Sequence, residues 1–296
     1  MRYGFLLALS AAVCWGSAPI FQKRALRDMG LLELNAIRSL GVLALLLPVL
    51  FFAGPDIFLP GASSYLVVVI IVFVNSLIGD LLAFAAIRSI GASLATPITN
   101  AYPLAITLIS WLWFGEELTS FVLAGTFLVI MGLVLLNLRG AATPDSRPGS
   151  YLWGVASAML AALCWAFGLS MSKYLTLQGA TSTAIVFWRG FFFSLMAWGN
   201  WALFRAFRPE KTRSMKGIPF SGKTMAACSG ALSLVLGSWC YTTGITLIPM
   251  NVATPIATSA PLITALIACV LMDERLRFIQ WLGIVFVVTG AVVVGS

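Results

Sequence analysis

The sequence contains no histidine, which removes the side chain that most often serves as general base or metal ligand. Charge is scarce as well: 9% of the 296 residues are Asp, Glu, Lys or Arg, where soluble domains carry about a quarter. The five cysteines (14, 164, 228, 240 and 269) all fall in apolar stretches, and no pair has metal-ligand spacing. They read as small buried hydrophobes, with no disulfide framework implied. A single acidic residue, Asp80, lies deep within an apolar run. A membrane-embedded enzyme would need clustered nucleophiles, acids or ligands that the chain lacks, and neither metal nor other cofactor is expected.

What the chain has in abundance is apolar surface, at 60% of residues. A core built by so short a chain cannot hide that much, so lipid must cover the rest. Ten runs of about 20 residues, each long enough for roughly 30 Å of hydrocarbon, fall at 4–23, 32–53, 64–87, 94–114, 119–138, 152–172, 182–205, 225–247, 252–272 and 277–295. The fold class expected is an all-α polytopic membrane protein. Short junctions, Gly115–Leu118 and Asp273–Leu276, join runs 4 to 5 and 9 to 10, while Arg139–Ser150 and Arg205–Lys223 form longer polar loops. Residues 1–20 could pass for a signal peptide. Val13 stands where a lipoprotein signal needs a small residue before its Cys, and the segment recurs at 154–174, so a mature helix is expected.

The net charge of +8 calls for no nucleic acid, because the basic residues cluster at run ends and in loops. Loops after runs 1, 3, 5, 7 and 9 hold 14 Lys and Arg, and the opposite face has Arg2 and Lys173. The positive-inside rule then puts the odd-numbered loops in the cytoplasm and both termini outside.

The chain also repeats itself. Gly4, Ala8, Ala11, Ala12, Cys14, Trp15 and Lys23 return 150 positions later as Gly154, Ala158, Ala161, Ala162, Cys164, Trp165 and Lys173. At a shift of 158, Gly79, Ala95-Thr96-Pro97-Ile98, Pro103-Leu104, Glu116, Gly125 and Gly132 match Gly237, Ala253-Thr254-Pro255-Ile256, Pro261-Leu262, Glu274, Gly283 and Gly290. Halves of 1–138 and 152–296, joined by a 139–151 linker, have five runs each and must therefore sit upside down relative to one another. Inverted repeats of this kind are the construction of many secondary transporters.

Several residues stand out within that frame. Asp80 costs on the order of 3 kcal/mol at its depth, and its repeat counterpart is Ser238. It reads either as a proton-coupling or substrate-charge site or as a structural partner of Arg88 or Arg38. Asn75 on the same run joins the substrate-binding candidates. Arg38 and Arg189 sit at matching depth, where snorkelling to the interface is the readier reading and an inward-facing charge clamp the alternative. Pro97 and Pro255 fall in the expected first turns of runs 4 and 9, where proline is harmless, whereas Pro103 and Pro261 fall inside and should kink them. Paired Pro-interrupted helices point to a transporter's central site, so the polar residues between them, Thr99, Asn100, Tyr102, Thr258 and Ser259, are candidates to line it. Trp15, Trp165, Trp239 and Tyr241 could stack on a substrate, and the seven-spaced glycines read as close-packing faces. Gly217–Thr224 fits a phosphate-binding GxxxxGK[ST] pattern to the letter, but no strand precedes it and it reads as a chance match in a polar loop.

Two five-helix halves, each with a Trp-bearing small-residue first helix, an Ala-Thr-Pro-Ile…Pro-Leu fourth helix, a Glu-x-Leu junction and a Gly-rich last helix, resemble the drug/metabolite transporter superfamily in its EamA-type branch. The resemblance implies a ten-helix basket with its site between helices 1–4 and 6–9, helices 5 and 10 supporting from outside. It implies export or exchange of small metabolites, amino acids among them, by alternating access without ATP. Such relatives keep their termini in the cytoplasm, the reverse of the charge count here. The expected protein is thus a secondary transporter of small polar or amphipathic molecules in a prokaryotic plasma membrane, a monomer or weak dimer, with Asp80 as the proton-coupling candidate. Efflux of lipophilic cations is the alternative within transport, and an embedded enzyme or a scaffold the alternative outside it.

Overall fold

The structure is a computed structural model that describes residues 2–137, 150–272 and 277–295. The seam with Arg139 and Arg147, and the junction with Glu274 and Arg275, lie outside the described residues. Every regular element among the described residues is helical. The first half runs α1 (Arg2–Ala25), α2 (Leu31–Phe52), α3 (Ala62–Val72), a π-helical stretch Phe73–Gly79, α4 (Asp80–Ile90), α5 (Ala92–Thr99), α6 (Tyr102–Phe114) and α7 (Ser120–Asn137). The second repeats that order as α8 (Ser150–Leu177), α9 (Ser182–Phe207), α10 (Phe220–Gly230), a second π-helical stretch Ala231–Gly237, α11 (Ser238–Leu247), α12 (Met250–Ala257), α13 (Ala260–Met272) and α14 (Phe278–Val294).

Ten passes result, because α3 and α4 form one rod through their π-helical stretch, α10 and α11 form another, and α5–α6 and α12–α13 each make one broken pass. Six passes are individually long and apolar enough to cross a membrane. The rest are the broken α5–α6, the shorter α7 and α14, and α9, which carries Arg189 and Arg205. At Gly91 a single residue with φ +77° turns α4 into α5, a left-handed backbone that a side chain would strain.

The halves are interlocked. α1 packs against α10, α11, α12 and α13 of the second half, and α8 against α3, α4, α5 and α6 of the first. The small residues of α1 make this possible: Gly4, Ala8, Ala12 and Gly16 recur every four positions, Ala11 lies beside them, and all are buried. A Cβ built on Gly237 would sit 2.6 Å from Cδ1 of Trp15, and one on Gly79 would sit 3.0 Å from Cδ1 of Trp165. Each half thus supplies a glycine that accepts the other half's tryptophan. The expected glycine faces of the last passes are also found, since a Cβ on Gly132 would lie 2.6 Å from the Gly283 carbonyl oxygen and one on Gly290 2.7 Å from that of Gly125.

One expectation about the prolines is corrected. Pro97 and Pro255 lie inside α5 and α12, and Pro103 falls in the first turn of α6. The cause is that both fourth passes start about two residues earlier than the apolar pattern marks, and both break at Asn100–Ala101 and Thr258–Ser259, just ahead of the second proline. Pro103 and Pro261 therefore open the following half-helix, where a missing N–H costs nothing.

Passes alternate in direction, so the loops after the odd-numbered passes share one face, called here the basic face. There the long basic loop docks on the α1–α2 corner. The Arg213 backbone N–H donates to Glu33 Oε1 at 2.6 Å, its guanidinium to the Asp28 carbonyl at 3.2 Å, and Ile218 joins Ala25, Met29 and Leu34 in an apolar cluster. Gly217 ends a short turn and Gly222–Thr224 lie in the first turn of α10 with Gly222 against Asp28, so no strand-loop-helix phosphate cradle forms.

Candidate functional site

A cavity of about 630 Å³ lies between the halves. Its lining comes from the ends of α1, α2, α7 and α14 nearer the basic face, from α5 and α13 beside the breaks in their passes, and from the middles of the remaining walls: Trp15, Gln22, Arg38, Thr96, Asn100, Thr264 and Gln280 are examples. Toward the other face the same helices close on each other. Ala8 and Ala11 of α1, Ile106 of α6, Ala162 and Ala166 of α8, Tyr241 and Ile245 of α11 and Met250, Ala253 and Ala257 of α12 form one apolar plug.

A latch sits outside the plug. Glu116, after α6, accepts from the backbone N–H groups of Met250 (2.8 Å) and Asn251 (3.0 Å) and so caps α12. Lys173 lies 3.5 Å from the same carboxylate and donates to the Ile245 carbonyl at 2.6 Å. The Asn251 side-chain amide adds a bond to the Glu117 carbonyl at 2.9 Å. Four elements of both halves are tied at this corner.

The charged groups occupy the cavity itself. Asp80 opens α4 directly after the π-helical stretch and accepts from Trp165 Nε1 at 3.3 Å. Arg38 is the charged side chain that acts on it through space, and it donates to Asn35 Oδ1 and Ser233 Oγ, each at 3.2 Å. Arg88 is solvent- or headgroup-exposed in the last turn of α4 and takes no part. Arg189 reaches Ser172 Oγ at 3.4 Å. Both arginines line the cavity, and Arg38 and Arg189 find polar partners there in Asn35, Ser233 and Ser172, which corrects the snorkelling expectation.

Of the remaining candidates, Trp15, Asn75, Asn100, Tyr102, Trp165, Thr258 and Pro261 line the cavity with Asp80. Four do not. Tyr241 is buried in the plug, 5.3 Å from the Trp15 ring and 2.8 Å from Thr254 Oγ1. Trp239, 40% exposed, points outward with Nε1 3.3 Å from Thr183 Oγ1. Thr99 and Ser259 turn back onto the carbonyls of Thr96 and Ile256 at the helix breaks. Of the prolines, Pro97, Pro103 and Pro255 stand behind the lining.

The sequence pattern misses Ser76, Thr96, Ser233, Ser238 and Gln280, all of which line the cavity. Two of these trace to the π-helical stretches, whose wider turns aim Asn75 and Ser76 inward in one half and Ser233 and Leu234 in the other. Such bulges gather at functional sites because they free carbonyls and redirect side chains. Here the Ser233 carbonyl accepts from Trp15 Nε1 at 3.0 Å and from Ser238 Oγ at 3.2 Å. The pseudo-symmetric bond in the other half runs from Trp165 to Asp80 instead. Asp80 also borders a second, smaller cavity of about 110 Å³ between α2, α4 and α9, with Asn35, Ser76 and Asn200.

Ten helical passes in two inverted halves around a cavity lined by charged and aromatic side chains, closed on one face, define a polytopic transporter. The chain belongs to the EamA-like transporter family, whose model matches residues 2–138 and again 152–296, and it fits the drug/metabolite transporter superfamily. It is similar to an uncharacterized transporter of Archaeoglobus fulgidus (28% identity over 171 residues, 58% of this chain and 59% of that protein). It is also similar to the uncharacterized transporter YetK of Bacillus subtilis (24% over 200 residues, 65% and 56%). The matches thus span less than two thirds of those relatives' length. A solved structure described as a crystal structure of protein shares the fold at TM-score 0.78 and 17% identity, over 99% of this chain and 98% of that one.

Proposed function

We propose that the protein is a secondary transporter, an exporter or exchanger of small polar or amphipathic organic molecules in a prokaryotic plasma membrane, working by alternating access around the central cavity. The observation that carries this is the asymmetry along the membrane normal: a charged cavity reaches toward the basic face, and an apolar plug with the Glu116–Lys173 latch seals the other. Rocking of the two interlocked halves would open the plug and close the cavity, with the broken passes at Asn100–Ala101 and Thr258–Ser259 yielding most easily. The charge count puts the basic face in the cytoplasm and the termini outside.

Within this reading Asp80 couples transport to protons or recognises substrate charge. Asp80→Asn should abolish gradient-driven movement of substrate in proteoliposomes holding equal amounts of folded protein, and should lower Tm because Arg38 loses its counter-charge. Unchanged gradient-driven transport would remove Asp80 from that role. Efflux of lipophilic cations draws support from Asp80 beside Trp15 and Trp165, since aromatic faces attract cations. Two guanidiniums in the same cavity oppose it.

A further inference from the structure

We infer that the molecule held in the central cavity is an organic monoanion, with its carboxylate on Arg189 and an aromatic or broad apolar body against the tryptophans. The inference rests on the reading of this cavity as the transport site.

Among the described residues three charged side chains line it: Arg38, Asp80 and Arg189. Arg38 and Asp80 offset one another through space, and each has further polar partners, Asn35 and Ser233 for the one and Trp165 for the other. Arg189 stands apart. Among the described residues no carboxylate lies within ion-pair distance of it, and its one hydrogen bond, to Ser172 Oγ, is long at 3.4 Å. A guanidinium has five N–H donors in a planar fork, so most of its donors are left for the cavity. Arg189 is also the eighth residue of α9, about 10 Å along the helix axis. An uncompensated cation at that depth is costly, and it holds its place where a counter-charge or water reaches it. A ligand carboxylate meets the fork in two parallel bonds, which is the geometry guanidinium prefers.

The same inventory decides against other classes. A cation would face two guanidiniums for one carboxylate. A zwitterion's ammonium would have to draw Asp80 away from Arg38 and Trp165. A neutral molecule would leave Arg189 unmatched. The body of the ligand meets Trp15, Trp165, Tyr102, Leu169 and Leu234, and the volume suits a molecule of drug-fragment size.

Four probes of nearly one shape separate these classes: 3-phenylpropionate (anion), 3-phenylpropionamide (neutral), 3-phenylpropylamine (cation) and phenylalanine (zwitterion). Each is added at millimolar concentration to the purified protein at constant ionic strength, and thermal unfolding is followed. The expected result is a Tm rise of about 2 °C or more with 3-phenylpropionate alone, by binding linkage. Arg189→Gln should abolish that rise, and Arg189→Lys, which keeps the charge but loses the fork, should weaken apparent affinity about tenfold, one broken charge-assisted bond's worth. A larger rise with the amine or phenylalanine, lost in the cavity-filling Leu169→Trp, overturns the anion and leaves the site standing. A rise that persists in Leu169→Trp, or no rise with any of the four, overturns the site itself and the anion with it.

Discussion

Trp15 and Trp165 each lie over a glycine of the opposite half, and the two contacts differ in the acceptor of the indole hydrogen bond. Trp15 Nε1 donates to the carbonyl that a π-helical stretch frees at Ser233, whereas Trp165 Nε1 donates to Asp80. Space for these rings depends on Gly237 and Gly79. Gly237→Val should push the Trp15 ring against Tyr241 and cost about 1–3 kcal/mol by overpacking, read as a lowered Tm in detergent. An unchanged Tm would mean the ring moves freely and the contact positions nothing. Some of this was legible in the sequence: Asp80 announced itself by depth and by its mismatch with Ser238, and Trp15 and Trp165 by recurrence. The misassigned neighbours were errors of angle. Thr96 and Asn100, four apart, share the cavity face, and Thr99 between them does not. Ser238 faces in, so Trp239, 100° further round, faces out.

At the scale of elements, the broken fourth passes and the π-helical third passes set the shape of the cavity. The breaks were legible from paired prolines, although their register was not, because apolar pattern alone does not locate a helix start and Gly91 and Pro249 lie outside the apolar runs. The π-helical stretches left no mark in the hydrophobic pattern, since one added residue per turn keeps a lipid-facing surface apolar. Their polar output, Asn75 in one half and Ser233 in the other, stands at matching repeat positions and was the available signal. The latch on α12 makes a separate prediction. Glu116→Ala leaves two backbone donors and Lys173 without their carboxylate and should cost about 1–3 kcal/mol locally. Amide exchange over 250–257 should quicken by tenfold or more, and equal exchange in the variant and wild type would show that the latch does not hold this face shut.

At the scale of the whole molecule, the proposed alternating access rests on the inverted repeat, which would give ten passes two related conformations. Its exchange of first helices between halves, α1 into the second and α8 into the first, was not legible, because repeats show which segments correspond and not which ones touch. The orientation proposed rests on the charge count. A cysteine introduced by Ser214→Cys in the basic loop should react with a membrane-impermeant maleimide only once the cytoplasmic face is made accessible, while reaction in intact cells would reverse the assignment. Alternating access itself is tested most directly by counterflow in proteoliposomes, using whichever of the four phenyl probes raises the Tm. Transient, saturable accumulation of labelled probe against unlabelled probe inside is expected, retained in Asp80→Asn even as gradient-driven transport is lost. Accumulation no greater than in protein-free liposomes would rule alternating access out.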